Sequence, residues 1–294
     1  MILEAITQQK HPGWASFASV CKEWQFVIEK QNFCRLKLHA PCLDDFKTIV
    51  RQSKRRRVVR YISLDIQLPE YSCHICKREE SMTSSGRNSS TISKAIWKLF
   101  HILSAWESGP EHERRDLRLE LNAHSPSDSK HWFKNLYFTS DNKDIEGAAS
   151  NCSISSWHDT EHGWIDGRQQ ITTLPYSAVL RLFGEIDLRF KRGQDLPRVE
   201  VVTSFVIRRQ LRRCLSPYFS LKPLLSALSG LERMIYEPWR LWESNRREIH
   251  DHCTHLMPKS PTPTLHIELT CQFHSLYRTG TGRPSTKSQE SVGL

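Results

Sequence analysis

The chain lacks the features that mark several large classes of protein. No apolar run approaches the roughly 18 residues of a membrane-spanning helix. No basic segment followed by an apolar one opens the sequence, as it does in a secretory signal. Walker, GxSxG and GxGxxG motifs are also absent. We therefore expect neither membrane insertion nor export, and the sequence carries no signature of nucleotide binding or serine hydrolysis.

A disulfide framework is also not expected. The nine cysteines are odd in number and scattered along the chain. Without an export signal, such cysteines are typical of reduced thiols in the cytosol or nucleus. The chain does have 38% hydrophobic residues and nine tryptophans, enough to build a real core.

The net charge of +10 raises the question of nucleic-acid binding. The basic residues are spread, however, and form only two tight clusters, Lys54–Arg57 and Arg208–Arg213. We interpret both clusters as solvated surface. A basic protein that binds nucleic acid or a protein partner remains the alternative, and it gains support if the two clusters share one exposed face.

The first forty residues predict a compact helical unit. Helical spacing places one apolar stripe on the segment Gly13–Glu29, formed by Phe17, Val20, Cys21, Trp24, Val27 and Ile28. MILEAI precedes this segment and NFCRLKL follows it, and we assign residues 1–40 to the unit. A unit of this size is small for an independent core, which favours docking on a partner.

Strand and helix patterns alternate in the rest of the chain. Ile62, Leu64, Ile66 and Leu68 alternate along a strand, as do Leu117, Leu119 and Leu121. Between them, a polar loop through Asn88–Ser90 precedes a helix at Ile92–Trp106. Further strands are predicted around Glu200–Ile207, at LERMIYEPW and at Thr264–Thr270, and further helices at SAVLRLFG, FSLKPLLSALSGL and LWESNRREIHDHC. The fold class is therefore α/β or α+β, with a repeat of about fifty residues.

Two regions interrupt this repeat. Residues 125–175 are rich in small polar residues and aromatics, which predicts an insertion partly docked by its aromatic rings and loosest around 139–155. Residues 258–294 are rich in Pro and Ser, and we expect a largely disordered tail there. The repeat region accordingly spans 41–257.

The cysteines and histidines are candidate metal ligands. Cys73 and Cys76 form a CxxC motif, but zinc takes four ligands and no second CxxC exists. Cys34, Cys42 and His124 are possible partners, and no spacing selects one of them. We interpret Cys73 and Cys76 as reduced loop cysteines and predict no metal and no cofactor.

Two histidine-rich segments were weighed in the same way. WHDTEHGW places His158 and His162 four residues apart but does not match HExxH, and its tryptophans favour a packed loop. A second group, between His250 and His255, lies close to the irregular tail. We expect no metalloprotease chemistry from the first segment, and the second could bind a metal only fortuitously.

The N-terminal segment and several later segments resemble a known protein family. ASVCKEWQFVI followed by NFCRLKL resembles the F-box, through Val20, Cys21, Lys22 and Trp24. AIWKLFHILSAWE, LELNAHSPSDSKHWFKN, VIRRQLRR and LERMIYEPWRLW are similar to F-box proteins of filamentous fungi whose C-terminal part is a leucine-rich-repeat-like solenoid. That resemblance implies a three-helix unit that binds a Skp-type adaptor. The usual Leu-Pro-x-Glu-Ile element would stand before Met1, so the first helix is expected to be truncated.

The resemblance also implies a function. Such proteins are non-catalytic subunits of SCF ubiquitin ligases in the cytoplasm or nucleus. They bridge a protein substrate, unknown here, to the Skp-type adaptor and through it to a cullin. The residues expected to face the adaptor are Ile2, Leu3, Val20, Cys21, Trp24, Val27 and Leu36.

Overall fold

A computed structural model describes residues 14–106, 116–134, 158–170, 174–190, 195–237 and 266–269. Its helices are α1 (Lys22–Cys34), α2 (Leu43–Ile49), α3 (Ser53–Val58), α4 (Met82–Ser104), α5 (Tyr176–Phe183) and α6 (Lys222–Ala227). Its strands are β1 (Arg35–His39), β2 (Tyr61–Gln67), β3 (Leu117–His124), β4 (Trp164–Ile165), β5 (Arg168–Gln169), β6 (Glu185–Ile186), β7 (Val202–Ile207), β8 (Cys214–Leu215), β9 (Arg233–Tyr236) and β10 (His266–Leu269). No helix in these ranges combines the length and the apolar character needed to cross a membrane.

The fold is α/β and is built on a six-stranded parallel sheet. The strand order is β1-β2-β3-β7-β9-β10, and every neighbouring pair runs parallel. Because parallel neighbours need a crossover between them, helices α2, α3, α4 and α6 lie in the connections. The prediction of mixed strands and helices is confirmed, including the strand within Thr264–Thr270.

The alternation along the strands is confirmed in detail. The predicted apolar residues of β2 and β3 are buried, together with Ile92, Ile96, Leu99 and Leu103 of α4, in one continuous core. Their neighbours in sequence form the opposite face of the sheet, which we call the polar face: Tyr61, Ser63, Asp65, Gln67, Arg118, Glu120, Asn122 and His124. Period-two alternation therefore identified which side of each strand meets the helices.

The end of the predicted helical unit is a strand. Arg35–His39 forms β1, which pairs in parallel with β2 from Arg35 beside Tyr61 to His39 beside Asp65. The expectation of helix over NFCRLKL is wrong beyond Cys34. In RLKLH, Leu36 and Leu38 alternate with polar residues and pack on the core, so sheet pairing decides the conformation.

Helix α4 begins ten residues earlier than its apolar spacing predicts. Ser81 caps it by accepting a hydrogen bond from the Ser84 amide at 3.2 Å. The expected polar loop at Asn88–Ser90 is helical, because its polar side chains have partners across the fold. Asn88 donates to the Glu80 carboxylate at 2.6 Å, and the Ser89 hydroxyl donates to the Asp187 carbonyl.

Two predicted helix ends are confirmed. Gly184 ends α5, and its amide donates to the Leu180 carbonyl at 2.8 Å. Pro223 lies in the first turn of α6, where a missing amide hydrogen costs no helical hydrogen bond. The predicted helix LWESNRREIHDHC and the region 139–155 lie outside the described residues.

Candidate functional site

An exposed apolar surface lies on the N-terminal segment. A 3₁₀ helix, Trp14–Ser19, precedes α1. The rings of Phe17 and Trp24 meet edge to face with centroids 6.1 Å apart. Val20 and Phe26 are 62% and 64% exposed, and Phe17 is exposed as well. We call Phe17, Val20 and Phe26 the N-terminal apolar surface.

The predicted adaptor-facing residues that the structure describes fall into three groups. Val20 and Cys21 are exposed, but they lie between the 3₁₀ helix and α1 rather than on a continuous helix. Trp24 and Val27 are half-buried. Leu36 packs against the sheet core from β1. Ile2 and Leu3 lie outside the described residues.

The basic cluster at Lys54–Arg57 holds α1 in place. Arg55 of α3 forms an ion pair with Glu29 of α1 at 2.9 Å and lies over the ring of Phe33. The hydrogen bond from Arg55 lowers the pKa of Glu29. Arg56 donates to the carbonyls of Val50 and Ala105, at 2.8 and 3.1 Å. These two arginines therefore bind the protein itself.

The second basic cluster is partly inside the protein. Arg212 is buried and donates to the Asp128 carbonyl at 2.8 Å. Arg213 is also buried and binds Glu80 and the Arg181 carbonyl, at 3.1 and 2.7 Å. The interpretation of Arg208–Arg213 as solvated surface is wrong for these two residues. Because buried guanidinium groups cannot reach phosphates, the nucleic-acid alternative loses part of its support.

Four metal-ligand side chains meet where β2 and β3 end. The potential ligand atoms of Cys73, Cys76, His131 and His162 all lie within 4.8 Å of one another. The Cys73 and Cys76 sulfurs lie 3.2 and 3.3 Å from the His162 Nε2 atom. Cys76 and His162 are buried, while Cys73 and His131 are half-buried. We call these residues the Cys₂His₂ cluster.

The first three members come from loops that leave neighbouring strands. A 3₁₀ turn, Cys73–Ile75, follows β2, and another, Pro126–Ser129, follows β3 just before His131. The two loops are joined where the Tyr71 amide donates to the Ser127 hydroxyl at 3.1 Å. Parallel strands bring these loops to the same edge of the sheet.

A short hairpin in the insertion supplies His162. The turn Thr160–His162 ends at Gly163, whose φ of 71° is left-handed. Strands β4 and β5 follow, joined by Asp166 and Gly167 with φ of 47° and 76°, and both positive values suit a two-residue hairpin turn. These glycines allow the chain to reverse twice within a few residues and return His162 to the cluster.

Three side-chain hydrogen bonds fasten this hairpin to the segment after β3. The buried Trp164 donates to the His131 carbonyl at 2.9 Å, and Gln169 donates to the Trp132 carbonyl at 2.9 Å. Lys134 donates to the Asp159 carboxylate at 2.7 Å. The prediction that WHDTEHGW is a packed loop is confirmed for its described part, 158–164.

A second layer of groups orients the cluster. The Asp159 carboxylate lies 2.8 and 2.9 Å from the His162 Nδ1 atom. Burial disfavours ionised Asp159, but hydrogen bonds with Lys134 and His162 outweigh burial and lower its pKa to about 2. Since an ionised carboxylate only accepts, Nδ1 is the ring atom that donates to Asp159, and Nε2 is the ring atom that faces the two sulfurs. Trp132 donates to the Cys76 sulfur at 3.2 Å.

Two members of the cluster have shifted pKa values. Desolvation, followed by Cys76 and Glu161, raises the pKa of the Cys73 thiol to about 11. Burial lowers the pKa of His131, and the nearby His162 adds to this effect. Both shifts favour the uncharged form of the side chain.

The candidate partners named from the sequence lie elsewhere. His124 binds Asp65 at 3.0 Å, and Cys42 is exposed beside α2. Cys34 is the last residue of α1. His158 is exposed, with its Nδ1 atom 3.4 Å from Asp166 rather than beside His162. The histidines near 250–255 lie outside the described residues.

Sequence reasoning did not identify His131, nor the approach of His162 to Cys73 and Cys76. One usable signal was the Asp166–Gly167 pair between short strand-forming segments, which predicts a hairpin that could return His162. No signal identified His131, because it lies 31 positions before His162 and its approach to Cys73 needs the parallel sheet.

The polar face carries a second group of interacting side chains. Asp65 accepts from Asn122 at 3.0 Å and pairs with His124, while His39 lies 3.7 Å away. Hydrogen bonding to Asp65 raises the pKa of His124. These residues pre-arrange donors and acceptors on a face opposite the helices.

Comparison with known proteins does not assign this chain. No family model matches it, and the searches of curated proteins and of solved structures likewise found no match.

Proposed function

We propose that this chain is a substrate-recognition subunit of an SCF-type ubiquitin ligase. The N-terminal apolar surface is the observation that carries the proposal. Phe17, Val20 and Phe26 are exposed within the segment that resembles an F-box. Exposed apolar side chains within one short segment favour a protein partner, since leaving them in water is costly. The partner proposed is a Skp-type adaptor, with a cullin bound through it.

The parallel sheet supports a second role for the same chain. Strands alternate with helices along the chain, as in a leucine-rich-repeat-like solenoid. The residues of the polar face that reach solvent, such as Gln67 and Arg118, then serve as the contact surface for a protein substrate, while Asp65 and Glu120 are buried. Asp65, Glu120 and Tyr61 are already held by hydrogen bonds there, with the Tyr61 hydroxyl donating to Glu120 at 2.6 Å.

In this proposal the chain acts as a scaffold in the cytoplasm or nucleus. Holding the substrate and the ubiquitin-loaded enzyme in one assembly raises their effective concentration. The chain itself contributes no catalytic group, and the chemistry belongs to other subunits.

Co-purification with a Skp-type adaptor tests the proposal. The full chain is expressed with the adaptor, and Val20→Asp and Phe26→Asp are compared with Phe219→Asp. Phe219 is a matched control because it is 64% exposed, as Phe26 is, but lies in the π-helix Pro217–Leu221. Burying a Phe contributes roughly 1.5–3 kcal/mol, so Phe26→Asp is expected to weaken binding by at least about tenfold.

Two outcomes would contradict the proposal. Either the folded chain fails to bind any Skp-type adaptor tested, or Phe219→Asp weakens binding as much as Phe26→Asp does. A folded chain that retains other protein partners but no adaptor would support the alternative of a repeat protein outside the ubiquitin pathway.

A further inference from the structure

We infer that the Cys₂His₂ cluster binds one zinc ion, which pins the insertion onto the sheet. Cys73, Cys76, His131 and His162 supply two sulfur and two nitrogen ligands. This inference is independent of adaptor binding, because the cluster and the N-terminal apolar surface share no residue.

The spacing of the ligand atoms suits tetrahedral zinc. With Zn–S near 2.3 Å and Zn–N near 2.0–2.1 Å, sulfur and nitrogen ligands lie about 3.6 Å apart. The sulfurs of Cys73 and Cys76 lie 3.2 and 3.3 Å from the His162 Nε2 atom. The remaining separations stay within 4.8 Å. Small side-chain shifts therefore bring all four atoms to bonding distance of one ion.

The surroundings of His162 are those of a metal ligand. Asp159 accepts from Nδ1, and Nε2 faces both sulfurs, as in a carboxylate–histidine–zinc arrangement. Lys134 holds Asp159 in turn.

The surroundings of Cys76 fit a thiolate. The indole N–H of Trp132 points at its sulfur, and such a donor stabilises the charge that remains on a metal-bound thiolate. Thiolate and imidazole ligands in a tetrahedral S₂N₂ set favour zinc over magnesium or calcium, which prefer oxygen. Binding releases one proton from each thiol.

The zinc site explains how the insertion is stabilised although it has only a small hydrophobic core. Around the cluster lies a second hydrophobic core that is separate from the main one: Cys76, Trp132, Phe133, Ala178, Val179, Leu182 and Phe183. A core of this size is small, and small cores are commonly reinforced by a metal or a disulfide. The zinc ion joins three segments of the chain, which carry Cys73 and Cys76, His131, and His162. Four protein ligands leave no position for substrate, so the role is structural.

Metal analysis and cobalt spectroscopy of the full chain test this inference. Purified without chelators, the wild-type chain is expected to contain one zinc ion per chain. After exchange to Co²⁺, it should show visible ligand-field bands of a tetrahedral ion and near-ultraviolet sulfur-to-cobalt bands. Cys73→Ser and His162→Ala should lose the metal, while the matched controls Cys42→Ser and His158→Ala should keep it.

A more conservative variant addresses the second layer. Asp159→Asn keeps the side-chain volume but removes the charge that orients His162, and it is expected to weaken zinc binding by about 10- to 100-fold. Asp166→Asn, on the exposed turn of the same hairpin, should leave the affinity unchanged. This comparison needs no variant that removes a ligand.

Three results would overturn the inference. The first is a folded wild-type chain that takes up neither zinc nor cobalt when either is supplied in excess. The second is a Cys73–Cys76 disulfide in chain purified without air. The third is a cobalt spectrum without sulfur-to-metal bands, which would place the ion elsewhere.

Discussion

Ser220 offers a sharp test of how the second half of the fold is held together. Its side chain is completely buried in the π-helix Pro217–Leu221. The hydroxyl accepts from the Leu188 amide at 2.8 Å and donates to the Ile186 carbonyl at 2.9 Å. Ser220→Ala removes both bonds and leaves almost no cavity.

The expected loss follows from counting the groups left without partners. The Ile186 carbonyl still accepts from the Ser216 amide at 3.2 Å, so it stays paired. No other partner of the buried Leu188 amide is found among the described residues, and an orphaned buried donor costs about 1–3 kcal/mol. Adding roughly 1 kcal/mol for the other hydrogen bond, we expect Ser220→Ala to lower the free energy of unfolding by about 2–4 kcal/mol.

Ser93→Ala is the matched control. Ser93 is also a buried serine, but its hydroxyl has no hydrogen-bond partner among the described residues. It lies within α4, where Ala is the better helix former by up to roughly 0.5 kcal/mol. Urea unfolding followed by circular dichroism should show Ser93→Ala unchanged or slightly more stable. Equal effects of the two substitutions would refute the reasoning.

Two further predictions concern charge and backbone space. Folding raises the pKa of His124 above 6.5 and lowers that of Asp65 below 3.8, so the pair stabilises the protein fully between those values. The His124 contribution is lost as pH rises through its raised pKa, and the Asp65 contribution is lost as pH falls through its lowered pKa. NMR titration should show the His124 pKa falling in Asp65→Asn, and an unchanged value would contradict the pairing. Separately, Gly230→Ala should destabilise the protein, because a Cβ would overlap the Glu200 carbonyl, whereas Gly86→Ala within α4 should raise the free energy of unfolding by about 1 kcal/mol. Thermal melts compare the two, and a stabilising Gly230→Ala would contradict the predicted overlap.

The N-terminal segment shows where local pattern is insufficient. Helical spacing correctly predicted α1, whose Ile28 is buried. It also placed Val20 on the same helix, but the helical conformation is interrupted at Val20 and Cys21, between the 3₁₀ helix and α1. Trp24 is only half-buried, so Trp24→Ala should cost less than the roughly 3–5 kcal/mol of a fully buried Trp.

The core residues could be predicted from the sequence because the alternation of apolar and polar residues is a local pattern. Alternation at Ile62, Leu64 and Ile66 marks one side of a strand whatever the partner strand is. Gly184 likewise marks the end of α5, and Pro223 the start of α6, through their own backbone geometry.

Only the tertiary structure determined the contacts between segments that lie far apart in the chain. β1 is a strand because β2 lies beside it, and the buried Arg213 has Glu80 and the Arg181 carbonyl as acceptors for its Nη1 atom. The CxxC motif was visible in the sequence from the start. Its partners His131 and His162 were not, because only parallel strands and a returning hairpin bring them to Cys73 and Cys76. Spacing along the chain encodes local geometry, whereas a ligand set assembled from three loops depends on the whole sheet.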